Sequence, residues 1–135
     1  MITFYNTIIF VKDIEKSKAF YTDVLGQKIL EDYGTIVTFE NHLVIHDSQS
    51  LIRTTYGEVT PESGTLQGRN NLLVYFETDN LEDAYERVKS SGCEIIHPIK
   101  KQEWGQKVFR FLDPDNHIAE IGEPLHLTFL KEEIK

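Results

Sequence analysis

Glu120 and His46 are the residues of this chain best suited to chemistry. The run Lys107 to Leu112 reads as a strand, Asp113-Pro114-Asp115-Asn116 as a turn, and His117 to Gly122 as the returning strand. With Asp113 to Asn116 as the loop, Leu112 pairs with His117. Glu120 then falls opposite Phe109, on one face with Ile118 and Phe111. A carboxylate on an apolar, aromatic face is costly unless a cation, a metal or a hydrogen-bond donor meets it, which makes Glu120 a site candidate. A bulge at Asn116 would move this register by one residue. In the first half, a turn at Asn41-His42 pairs Phe39 with Val44 and Val37 with His46, placing His46 on an apolar face at the equivalent position. An imidazole and a carboxylate so placed suit divalent-metal ligation with proton transfer by Glu120, or a hydrogen-bonded lining of a binding cavity.

The remaining polar candidates carry blander readings. His42 lies in a turn, His117 points away from Glu120, and His97 and His126 read as surface or edge residues. Trp104 precedes a strand and serves as packing or as a ligand wall. Tyr75 shares a face with Leu73 and offers a hydroxyl, and Arg110 is expected on the opposite side from Glu120 in an ion pair. Cys93, the single cysteine, follows a helix end and reads as a small apolar filler rather than a nucleophile. Neither a phosphate-binding glycine loop, a Gly-x-Ser-x-Gly elbow nor a Cys–His pattern occurs, so phosphoryl transfer and serine-hydrolase chemistry are poor fits.

Helices must position these strands. Asp13 to Gly26 has a capping aspartate, inward positions Ile14, Ser17, Phe20 or Tyr21 and Val24, and a closing glycine. Asn80 to Gly92 repeats the pattern with Leu81, Ala84, Tyr85 and Val88. Strand-like segments surround both: Ile2 to Val11, Gln27 to Glu31, Thr35 to Glu40 and Leu43 to Asp47 in the first half. Leu72 to Thr78, Glu94 to His97 (ended by Pro98), Lys107 to Leu112 and His117 to Gly122 follow in the second. The result is an α+β chain of two βαβββ modules forming a cup-shaped mixed sheet, a natural small-molecule site. Module one spans 2–47, a linker or flap 48–70, module two 71–123, and a C-terminal tail 124–135 whose Leu125, Leu127, Phe129 and Leu130 suggest a short amphipathic helix docking on a neighbour.

The 135 residues suffice for one core, and 40% hydrophobic with 27% charged content is ordinary for a globular protein. A net charge of −8 with scattered Lys and Arg argues against a nucleic-acid partner and mildly favours a cationic ligand. No long apolar run or basic leader is present, so no membrane span is expected and a cytoplasmic location is the default.

Ile8-Ile9-Phe10-Val11-Lys12-Asp13-Ile14-Glu15-Lys16-Ser17, with Phe20-Tyr21 and Leu25-Gly26, resembles the opening of vicinal oxygen chelate proteins. Trp104 to Phe111 and Asp113 to Glu120 resemble their last hairpin. This superfamily of glyoxalases, bleomycin-resistance proteins, fosfomycin-resistance enzymes and extradiol dioxygenases implies the glyoxalase/bleomycin-resistance-like fold over roughly residues 2 to 123. The resemblance implies metal-ligand positions at Asn6, His46, Leu73 and Glu120, of which His46 and Glu120 carry strong ligands and Leu73 none. Two expectations follow. One is a binding protein with no metal, its pocket formed by Asn6, Leu73, Tyr75, Trp104, Phe109 and Phe111. The other is a lyase, isomerase, dioxygenase or thiol transferase with weakly bound Zn, Ni, Mn or Fe on His46 and Glu120, the latter catalytic. A homodimer is implied in either case.

Overall fold

Asp13 starts the first helix because its carboxylate accepts the backbone N–H of Lys16 at 3.1 Å, satisfying a donor with no partner inside the helix. Asn80 does the same for Asp83 at 3.1 Å in the second half. The computed structural model describes residues 1–59 and 67–128. It divides into two units, Met1–Gln67 and Gly68–Lys135.

The first unit contains β1 (Ile8–Val11), α1 (Ile14–Ala19), β2 (Ile29–Asp32), β3 (Ile36–Phe39), β4 (Val44–Asp47) and α2 (Ser48–Tyr56). A π-helical turn at Phe20–Val24 continues α1. The second unit contains β5 (Leu73–Glu77), α3 (Leu81–Ser90), β6 (Ile95–Lys101), β7 (Lys107–Leu112) and β8 (Ile118–Gly122). Sheet order is β1-β4-β3-β2 in one and β5-β8-β7-β6 in the other, with the first pair parallel and the rest antiparallel. The chain is thus α+β, two βαβββ modules with the same topology.

Each sheet packs one face beneath its helix. In the first unit Ile9, Val37, Phe39 and Ile45 are buried on that face with Tyr21. In the second, Phe109, Phe111, Ala119 and Ile121 are buried, and Tyr85 of α3 meets the Phe109 ring edge-on at 5.1 Å.

Both hairpin registers differ from the expected ones by one residue. Leu112 pairs with Ile118, and Arg110 with Glu120. Ile36 pairs with His46, and Val37 with Ile45. Left-handed loop residues accompany the shift: Asn116 (φ 63°) in one hairpin, and Asn41 (φ 66°) with His42 (φ 67°) in the other, each hairpin closing in a three-residue loop. In the second loop the Asp113 carboxylate accepts the N–H groups of Asp115 and His117, both at 2.9 Å. Because side chains alternate along a strand, the one-residue shift exchanges the faces assigned to cross-strand neighbours.

Other boundaries also moved. β1 begins at Ile8, leaving residues 1–7 outside the strand. Residues 48–56, read as linker, form α2, capped by Asp47 through the Ser50 N–H and ended by Gly57 at φ 84°. β6 runs through Pro98, tolerated because β6 is an edge strand whose register is irregular between His97 and Lys100. In the tail, residues 125–128 are helical, while Phe129 and Leu130 lie outside the described residues.

Candidate functional site

The face of the second sheet away from α3 carries a polar row crossing all four strands. Tyr75 of β5 stands beside Glu120 of β8, which stands beside Arg110 of β7, which pairs with His97 of β6. Arg110 Nε donates to Glu120 Oε1 at 2.6 Å, a charge-assisted contact with the two side chains 25% and 8% exposed. Arg110 Nη1 lies 3.3 Å from His97 Nε2, and His97 Nδ1 lies 2.7 Å from the carbonyl oxygen of Pro98. The Nδ1–H tautomer satisfies both contacts, donating to Pro98 and accepting from Arg110. The guanidinium is therefore held from two sides, and it holds the carboxylate.

At one end of this row lies a cavity of about 460 Å³, lined by Leu73, Tyr75, Trp104, Gln106, Glu120 and Leu125, all in the second unit. Its polar groups are mostly committed to each other. Gln106, 1% exposed, accepts from the Trp104 indole N–H at 2.9 Å through Oε1. Its Nε2 donates to Tyr75 Oη at 2.8 Å and to the Glu123 carbonyl at 2.7 Å. The Tyr75 hydroxyl donates to Glu77 Oε2 at 2.6 Å, and the same oxygen accepts the Leu125 N–H at 3.1 Å. Burial and the hydrogen bond to Glu77 push the Tyr75 phenol up to about 12, so it remains a hydroxyl at neutral pH. Glu77 is held below its ordinary value by Tyr75 and then by the Leu125 amide. Gly122 makes this arrangement possible, because a Cβ there would come within 2.6 Å of Gln106 Nε2.

Within the cavity the expected Leu73, Tyr75, Trp104 and Glu120 stand together. The register removes Phe109 and Phe111, which are fully buried on the helix side. The same shift brings Arg110, expected on the opposite face, next to Glu120. His97 is no isolated edge residue, since it contacts Arg110. Gln106 was not expected at the site and Leu125 was expected only in an amphipathic tail; a glutamine just after Trp104-Gly105 carries no signal of burial, and Leu125 reaches the site only through the fold of its turn. Asn6 precedes β1 in the first unit. His46 lies there between Phe10 of β1 and Ile36 of β3, and desolvation lowers its pKa.

His42 is exposed against the Tyr5 ring (4.9 Å between centroids), His126 is exposed, and His117 is buried. Cys93 is half-buried, its thiol raised by burial and 3.6 Å from the Val88 carbonyl.

Metal ligation needs several convergent donors. Among the described residues no group of three or more His, Cys, Asp or Glu is placed to hold an ion. Leu73 has no donor atom, and Glu120 already faces a guanidinium whose charge opposes a second cation. Within the second unit, Leu73 and the arginine-paired Glu120 do not fit a metal centre.

The glyoxalase-like domain family matches residues 4–126. A protein of unknown function from Agrobacterium tumefaciens, solved by crystallography, is 46% identical, with a TM-score of 0.85 over 93% of this chain and 96% of that one. The bleomycin resistance protein of Geobacillus stearothermophilus is 30% identical, covering 80% of this chain and 86% of the relative. The lactoylglutathione lyase of Salmonella typhimurium is 29% identical, covering 87% of this chain and 90% of the relative.

Proposed function

The chain belongs to the glyoxalase-like domain family of the vicinal oxygen chelate superfamily, and from that premise we propose that it binds a small aromatic molecule in the second module's cavity without a metal ion. The observation that carries this reading is the exposure of Leu73 (42%), Tyr75 (41%) and Trp104 (43%) around one cavity. Apolar and aromatic side chains left open together favour a flat apolar ligand, whose burial contributes roughly 25 cal/mol per Å². Pairing of Glu120 with Arg110 supports the metal-free form, because the guanidinium already occupies a carboxylate oxygen and its charge opposes a second cation.

Trp104 is the only tryptophan of the chain, so its emission reports on the cavity. A library of planar aromatic compounds, screened by Trp104 fluorescence and thermal shift, is expected to yield compounds that change the emission and raise the melting temperature together. If no compound does both, the reading fails. Divalent-metal-dependent lyase, isomerase, dioxygenase or thiol-transferase chemistry is separated by titration: with Zn²⁺, Ni²⁺, Mn²⁺ or Fe²⁺ we expect no affinity tighter than about millimolar. A homodimer, implied by the family resemblance, is expected by light scattering.

A further inference from the structure

We propose that Arg110 determines the specificity of this cavity: as the built-in counter-charge of Glu120, it makes the site select neutral planar molecules bearing one N–H or O–H donor over cationic ones. The inference rests on the proposed small-molecule site and concerns which molecules it takes.

The lining offers few polar contacts to a ligand. Both Nε2 hydrogens of Gln106 and its Oε1 are engaged, as is the Trp104 indole N–H. The Tyr75 hydroxyl proton points to Glu77. Glu120 lines the cavity, and its Oε1 takes the guanidinium. Its Oε2 has no donor among the described residues, which leaves one acceptor in a setting of Leu73, Leu125 and two aromatic rings.

The charge of that acceptor decides the ligand class. A lone carboxylate on this face would draw a cation strongly, since little water separates them. With Arg110 2.6 Å away and fixed by His97, the charge of Glu120 is compensated within the pair, and a cationic ligand meets the guanidinium along with the carboxylate. It loses its hydration without a compensating charge. A neutral donor retains its hydrogen bond to Oε2. The overall charge of −8 does not reverse this, because solvent and salt screen distant surface charges far more than a contact pair. The acidic surface steers cations toward the molecule, while the pair disfavours them at the site.

The test compares three probes by isothermal titration calorimetry on the full chain. 2-Naphthol supplies a planar body with one donor, 2-methoxynaphthalene lacks the donor, and N-methylisoquinolinium carries a fixed charge. We expect 2-naphthol to bind tightest, the methoxy compound roughly fivefold more weakly and the cation roughly tenfold more weakly. Arg110→Met is expected to reverse the order of 2-naphthol and the cation. Glu120→Gln, which leaves the guanidinium without its carboxylate, keeps the test available if Arg110→Met does not fold; it is expected to gain affinity for 2-naphthoate by about tenfold. A cation that equals 2-naphthol on the unaltered protein, an order unchanged in Arg110→Met, or no gain for 2-naphthoate in Glu120→Gln overturns the proposal while leaving the cavity a binding site. Absence of binding by all three, together with a failed aromatic screen, removes the site itself and the proposal with it.

Discussion

Glu120 and His46 occupy matching places in the two modules, yet their surroundings differ in kind. Glu120 sits between Tyr75 and Arg110, whereas His46 sits between Phe10 and Ile36. Removing one partner of a buried ion pair leaves the other charge uncompensated. Arg110→Met is therefore expected to lower stability by about 2–3 kcal/mol in urea unfolding, and Arg110→Met combined with Glu120→Gln by distinctly less. For His46 the dominant effect is desolvation, opposed by the charge of Asp47, so its folded pKa lies below 6.5. A depressed folded pKa contributes stability that is present above the unfolded value and is lost as pH falls through the folded one. Urea midpoints should therefore drop between pH 6.5 and more acidic conditions, and His46→Gln should flatten that part of the profile. An unchanged slope would remove His46 from the account. For Tyr75 the sign is opposite: raised to about 12, it contributes stability fully present below 10 and lost as pH rises toward 12. Absorbance titration of Tyr75→Phe should lack one phenol that ionises near 12.

At the scale of elements, the segment Trp104 to Gln106 and the turn at Leu125 are joined to β5 and β8 through one buried amide. Gly122 sits under that amide. Gly122→Ala places a methyl group 2.6 Å from Gln106 Nε2 and 3.0 Å from Val108 Cγ1, so Gln106 must move and its bonds to Tyr75 and Glu123 must break or lengthen. Overpacking of this kind costs about 2–3 kcal/mol. The expected signature is a lower urea midpoint together with a shift in Trp104 emission, since the indole loses its fixed acceptor. Gly92 supplies the contrast. A Cβ there meets nothing within 4 Å, but φ is +84°, so Gly92→Ala should cost only about 1 kcal/mol of backbone strain and leave Trp104 emission unchanged. Equal emission changes in both variants would remove the amide from its proposed role.

For the molecule as a whole, the repeat of one topology in two units places His46 and Glu120 on equivalent central strands. Among the described residues no helix is long and apolar enough to cross a membrane. Since Leu73 and the arginine-paired Glu120 do not fit a metal centre, treatment with a chelator is expected to leave the melting temperature unchanged. A clear drop, restored by one divalent ion, would return the metal-dependent reading to first place.

The residue pattern by itself determined the elements and their order. Caps at Asp13 and Asn80, terminal glycines at Gly26 and Gly92, and alternating apolar strands are local signals, and local signals are legible without a fold. They suffice for two βαβββ modules, and the family resemblance follows from the same stretches. Tertiary structure decided which face each strand presents. Left-handed loop residues, Asn41 with His42 in the first half and Asn116 in the second, leave no mark in the apolar pattern and moved both registers by one residue. In the second half that shift exchanged Phe109 and Phe111 for Arg110 beside Glu120. Partners distant along the chain were equally hidden: Gln106 meets Tyr75 across 31 positions, and Leu125 meets Glu77 across 48. Glu120 was recognisable as a costly carboxylate in need of a partner. Whether that partner was a metal ion or an arginine depended on side-chain parity, which only the closed hairpin sets.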